Sequence, residues 1–254
     1  MKLDGLVSND ASFSFDSLNK LCWALGSLSG CMEEEDESKF VVNIIKELLN
    51  LCEKKKGKDN KAVVASNIMY VVGQFPRFLE NHWPFLKTVI KKLNEFMHET
   101  HPGVQDMASE TFLKIARLTK HKFVTLQDKE QEPYIYDLIR NLPINIKDLQ
   151  NNQKLMVYEG IGHIINAEER PQHVEVLVAS LLQYCQEDWT RIVGAATSDV
   201  DNLKHFDVIQ MIGFIVKVNE RVADSVGHFY CTYLEKVFVE IVQVYQLYSA
   251  YISE

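Results

Sequence analysis

Glycine and proline are scarce in this chain of 254 residues, at 11 and 6, and no stretch is rich in both. A linker or disordered tail shows as such a composition shift, so one continuous architecture is expected over residues 1–254. Long apolar runs are missing too. None approaches the roughly 18 residues needed to cross a bilayer, and no membrane partner is expected. The opening Met1-Lys2-Leu3-Asp4-Gly5-Leu6 lacks the apolar core of a secretory leader, and the chain is expected to be a piece of a longer protein. Cysteine is present but unordered: Cys22, Cys31, Cys52, Cys185 and Cys231 are an odd, scattered set with no CxxC spacing. That excludes a disulfide framework and a thiolate metal site, and implies free thiols in a reducing compartment. Positive charge is in deficit, with a net charge of −8, which speaks against nucleic acid as the partner of the whole chain.

What is present is helical periodicity. Residues 40–52 place Phe40, Val41, Ile44, Ile45, Leu48, Leu49 and Cys52 on one side, and residues 83–97 repeat the pattern with Trp83, Leu86, Val89, Ile90, Leu93, Phe96 and Met97. Such spacing follows one face of a 3.6-residue turn. Gly30, Gly57, Pro76, Pro102, Pro143 and Pro171 are the expected stops between helices. No Asn-Gly hairpin signal occurs, and the fold class is all-α.

An aliphatic residue followed by a small one recurs at Leu25-Gly26, Val72-Gly73, Ile115-Ala116, Ile161-Gly162 and Ile212-Gly213, with separations of 47, 43, 46 and 51 residues. Two-helix HEAT repeats run about 40–47 residues. A second helix fits between the markers each time, over 38–52, 81–98, 131–147 and 172–186. The pattern predicts a HEAT-repeat α-solenoid of about five stacked antiparallel helix pairs, with the small residues admitting close helix approach.

Candidate chemistry is thin. His98-Glu99-Thr100-His101 has its histidines three apart, whereas a helical zinc motif needs four. Gly160-Ile161-Gly162 lacks the strand and third glycine of a nucleotide loop and reads as helix packing. The acidic run Glu33-Glu34-Glu35-Asp36-Glu37 before Ser38 reads as a solvated helix start. Lys54-Lys55-Lys56-Gly57-Lys58 reads as a solvated turn, with a localisation or phosphate-binding tract as the sharper alternative. No nucleophile–base or paired-carboxylate set is found, so no catalytic residue, metal or cofactor is assigned.

The apolar faces are wider than one core requires. In residues 40–52 apolar positions come in doublets, and Val42, Ile45, Leu49 and Cys52 form a second stripe; Phe85, Val89 and Phe96 add another on the next such helix. Two such stripes can frame a groove for an amphipathic peptide, or they can simply serve neighbours on both sides of a solenoid helix. Both readings stand at this point. Lys54, Lys55, Lys56, Lys58, Lys61, Lys87, Lys91 and Lys92 would rim the slot and favour acidic peptides. Their potential should lower the pKa of the Cys52 thiol.

At these residues the chain resembles a known family. Asp16-Ser17-Leu18-Asn19-Lys20-Leu21-Cys22-Trp23-Ala24, Gly57-Lys58-Asp59-Asn60-Lys61-Ala62, Ala65-Ser66-Asn67-Ile68-Met69-Tyr70, Phe85-Leu86-Lys87-Thr88-Val89, Glu95-Phe96-Met97-His98-Glu99-Thr100-His101 and Gly103-Val104-Gln105-Asp106-Met107-Ala108 are similar to karyopherin-β nuclear export receptors that bind leucine-rich export signals. The similarity is closest over residues 16–123. Pro84, Asn94 and Ser109 depart from the family pattern, away from the proposed groove face.

The resemblance implies a central piece of a ring-shaped HEAT solenoid with no enzymatic activity. It also implies a peptide groove within about 38–120. Ile45, Leu49 and Cys52 would line one wall and Phe85, Thr88, Val89 and Phe96 the other, with Ala65, Met69 and Met107 as floor. Lys58, Lys61, Lys92 and Glu95 would form the rim, Lys92 restricting which peptides enter. Cys52 would be the thiol attacked by leptomycin-type covalent inhibitors. Implied partners are cargo proteins carrying leucine-rich signals, Ran-GTP and nucleoporins, the last two through the whole receptor, which shuttles between nucleus, nuclear pore and cytoplasm. A generic HEAT scaffold for protein assembly is the alternative. The position of the surplus apolar surface separates them: an open outer groove supports the receptor, complete burial the scaffold.

Overall fold

The computed structural model describes residues 15–55, 57–100 and 103–253, and these are helical with no strand among them. Lys56 of the lysine tract, and His101 and Pro102 at the expected helix end, lie outside the described residues. So does the side chain of Lys58, assigned above to the groove rim. The chain divides into two compact units, one holding residues up to 122 with 142–156, the other 123–141 with 157–254.

In the first unit, helices α1 (Phe15–Gly26), α2 (Glu34–Lys54), α3 (Lys58–Gly73), α4 (Pro76–Asn81), α5 (Trp83–Phe96) and α6 (Val104–Thr119) follow in order. Short turns join α2 to α3 and α5 to α6, and each joined pair packs together, so the partners run antiparallel. The reversals need residues that accept positive φ. Gly57 at φ 90° opens α3 and Gly103 at φ 81° opens α6, a backbone region costly for other residues. Inner helices α1, α3 and α6 stack on one another, and α2 and α5 ride outside them.

Close approach of the inner helices rests on the small residues. A methyl group at Gly26 would stand 2.6 Å from Gln74 Cγ, and one at Gly73 would stand 2.9 Å from Thr111 Cγ2. Both are below van der Waals contact, so any larger residue would have to displace the Gln74 or Thr111 side chain. Around these contacts Leu48, Val64, Val71, Phe75, Leu86, Ile90, Leu93 and Phe112 are almost entirely buried, each contributing about 1.5–3 kcal/mol of transfer free energy.

The second unit contains α10 (Pro171–Ser198), α11 (Phe206–Val226) and α12 (Cys231–Ser253), which pack on one another. Before them come α7 (His121–Val124), α8 (Tyr134–Asn145) and α9 (Asn151–Ile165), helices whose residues lie partly in the first unit. Within the second unit, a Cβ at Gly162 of α9 would lie 1.9 Å from Ser225 Oγ of α11. The Gly160-Ile161-Gly162 stretch is therefore helix packing.

Several expectations change in detail. Proline works as a helix start more than a stop: Pro76 and Pro171 sit at the first position of their helices, where the missing N–H costs nothing. Pro143 lies inside α8, two residues before its end. α10 runs 28 residues rather than 15, which accounts for the stretched last period of the repeat. Consequently Gly213 falls in the first half of α11, and a Cβ there meets nothing within 4 Å.

The glycines separate cleanly by experiment. Gly162→Ala forces the α9–α11 contact apart and is expected to cost about 1–3 kcal/mol. Gly213→Ala removes a flexible residue from an unencumbered helix and should gain about 0.5–1 kcal/mol. Urea unfolding of both variants checks this; equal effects would mean that glycine marks no packing register.

Candidate peptide groove between the outer helices

Helices α2 and α5 are both outer helices of the first unit and run parallel, since the inner helices they pair with do. Both pack on the inner layer, α2 on α3 and α5 on α6, and they make almost no backbone approach to each other. The surplus apolar stripes lie on these two helices, above α3 and α6.

The assigned residues fall into three sets. Leu49 is 49% exposed, as is Val42 at 52%, so half of the surplus stripe on α2 is open to solvent. Cys52, Ala65, Phe85, Phe96 and Met107 are half-buried, and Thr88 is exposed. Ile45, Met69 and Val89 are buried, at 7%, 8% and 2% exposure. Phe85 meets Phe78 of α4 edge-on at 5.3 Å, Thr88 Oγ1 donates to its own helix at Pro84 O, and Thr111 Oγ1 donates to Met107 Sδ.

At the rim, Lys92 Nζ and Glu95 Oε2 pair at 2.6 Å, both side chains more than half exposed. Such a pair is worth under about 1 kcal/mol, so an incoming acidic group can displace Glu95 at little cost. Lys61 is exposed. Of the lysine tract, Lys54 is the last residue of α2 and Lys58 the first of α3.

Cys52 corrects one expectation. Its Sγ donates to Lys61 O at 3.7 Å, and its pKa lies above the ordinary 9.0 rather than below it. Partial burial is the largest cause; the Lys61 charge lowers the pKa, and Glu53 raises it again. Desolvation penalises the thiolate more than one solvated ammonium can repay, and the hydrogen bond holds the proton.

The acidic run needs a second correction. Its residues form the first turn of α2, where the helix dipole favours them, and 33–36 are solvated, but Glu37 is 2% exposed. Its carboxylate accepts from Gly30 N at 2.8 Å and from Arg77 Nε at 3.1 Å. Arg77 also donates to Met32 O at 2.7 Å, and Asn81 Nδ2 donates to Glu34 Oε1. Sequence reasoning missed this cluster because Pro76 read as a stop. Its other meaning, a first helical residue, would have exposed the short amphipathic Arg77-Phe78-Leu79 turn. His98 is also accounted for: its Nδ1 pairs with Asp148 Oδ2 at 2.7 Å.

The family model described as CRM1 / Exportin repeat 3 matches residues 9–59. Exportin-1 of Dictyostelium discoideum is 47% identical over 252 residues, covering 99% of this chain and 24% of that protein. The chain belongs to the exportin family. EXPORTIN 1A of Arabidopsis thaliana is 46% identical over 252 residues, again 99% of this chain and 23% of the relative. Exportin-1 of Drosophila melanogaster is 46% identical over 241 residues, 95% and 23% of the two chains. This exportin chain thus spans about a quarter of the length of the curated relatives it matches. The identity extends well beyond residue 123, where the resemblance had thinned, and the helix pairs are exportin HEAT repeats.

The Cys52 reading has a direct check. Its alkylation by iodoacetamide should climb with pH and reach half its maximal rate above pH 9.0, because the protonated thiol is the unreactive form. A midpoint below that value would mean that the lysines dominate.

Proposed function

We propose that this chain is the cargo-binding segment of a nuclear export receptor, taking leucine-rich export-signal peptides into the slot between α2 and α5. The observation that carries the reading is the packing of the two outer helices. Each packs on the inner layer with little backbone approach to the other, and Leu49, Cys52, Phe85 and Phe96 retain exposed surface. An amphipathic peptide helix with apolar anchors at i, i+3, i+4 and i+7 matches such a slot. Each anchor fully removed from water contributes about 1.5–3 kcal/mol.

Ile45, Met69 and Val89 lie deeper and serve as the floor that the anchors reach once the walls part. Lys61 and Lys92 draw in acidic flanks and speed encounter. Lys92 narrows the slot while paired with Glu95. In the whole receptor, peptide capture is coupled to Ran-GTP and passage to nucleoporins, and the receptor cycles between nucleus and cytoplasm through the pore. The chain acts by binding and needs no cofactor. The scaffold reading calls for complete burial of the surplus stripe, and the half-exposed Leu49 and Val42 favour the groove.

Fluorescence anisotropy of a labelled leucine-rich peptide titrated with the chain tests this. Saturable binding is expected to weaken by about a hundredfold in Phe96→Asp, the loss of one anchor site, and to disappear after alkylation of Cys52. Phe206→Asp, at a residue 70% exposed in the second unit, should leave it unchanged. No binding to the unmodified chain, or binding indifferent to both groove changes, contradicts the proposal.

A further inference from the structure

The two walls of the slot are tied by charge at their N-terminal ends. Helix α4 lies between their N-terminal ends and packs on both α2 and α5. On the α2 side it is fixed by polar contacts: the buried Glu37 carboxylate receives Arg77 Nε, Arg77 reaches on to Met32 O, and Asn81 donates to Glu34. On the α5 side it is fixed by the edge-on contact of Phe78 with Phe85 at 5.3 Å, in the first turn of that helix. At the C-terminal ends, near Cys52 and Phe96, the walls meet the inner helices through the neutral hydrogen bonds of Cys52 Sγ to Lys61 O and of Gln105 Nε2 to Met97 O.

We infer that the Glu37–Arg77 pair is the hinge pin of the slot: it fixes the N-terminal separation of α2 and α5, so the groove opens by divergence of their C-terminal halves. The inference rests on the groove reading above, and Arg77 and Glu37 act in it as positioning residues that touch no peptide. A buried carboxylate with two donors is costly to disturb, because losing Arg77 leaves Glu37 short of a partner within the fold. That makes the pair a stiff pivot, while the neutral hydrogen bonds at the opposite ends are weaker than a charge-assisted one.

Cys52 reports the motion. It lies fifteen residues beyond Glu37 on the same helix, about 22 Å away at 1.5 Å per residue, more than twice the screening length of about 8–10 Å. Loss of charge at position 77 therefore does not alter the thiol through space, and a changed reaction rate means a moved wall. Alkylation would be followed by mass spectrometry in the 254-residue chain, with exposed Cys231 as the rate reference and buried Cys22 as the control for unfolding.

Arg77→Gln is expected to speed alkylation of Cys52 about tenfold with Cys22 still protected, and Arg77→Lys should restore part of the difference. Should Arg77→Gln fail to fold, Asn81→Ala decides: loss of one exposed hydrogen bond should raise the Cys52 rate about threefold. An unchanged Cys52 rate in the folded variants, or Cys22 accelerating in parallel, overturns the hinge. A wild-type chain that binds no peptide while Arg77→Gln still frees Cys52 would remove the groove function and leave the hinge standing.

Discussion

Close approach of the inner helices is the constraint from which the rest of the first unit follows. At Gly26 and Gly73 the next inner helix comes so near that a single methyl group would collide with Gln74 or Thr111. The outer helices α2 and α5 each pack on this layer, on α3 and α6 respectively, and the slot proposed between them lies above it. Leu48 and Leu86 of the outer helices are as fully buried as Val64 and Phe112 of the inner ones, so each outer helix is anchored in the layer beneath it.

Much of this was legible in the amino-acid order. The 3.6-residue period gave the helices, and the aliphatic–small pairs gave the repeat, because a physical requirement (backbone proximity) admits few residue types. The doublets of residues 40–52 revealed a stripe beyond the needs of the core, and Leu49 is indeed half exposed. Periodicity could not say how deep each member of the stripe lies. Ile45 and Leu49 are one turn apart on the same face, yet one is buried and the other open, because depth depends on the neighbouring helix. The length of α10 was equally hidden, since nothing in residues 187–198 interrupts the helix where the repeat would have ended it.

Charge was the least legible property. A row of lysines around Cys52 suggested a lowered thiol pKa, but solvated ammonium groups act through water while the sulfur is partly withdrawn from it. Burial outweighs the Coulombic effect there. Within the acidic run, four neighbours look alike in sequence, and only Glu37 is turned inward to meet Arg77. Its partner stands forty residues away, a pairing that composition cannot announce. The same pairing explains how a short helix of six residues can organise two longer ones.

Hydrogen exchange tests most directly whether peptide occupies the slot between the outer helices rather than any other surface. Exchange of backbone amides in the chain, with and without a saturating leucine-rich peptide, maps the stabilised helices without altering a residue. The account predicts slowed exchange in Glu34–Lys54 and Trp83–Phe96, strongest toward their C-terminal halves. Slowing confined to Phe206–Val226 and Cys231–Ser253, with the two outer helices unchanged under saturating peptide, would contradict it.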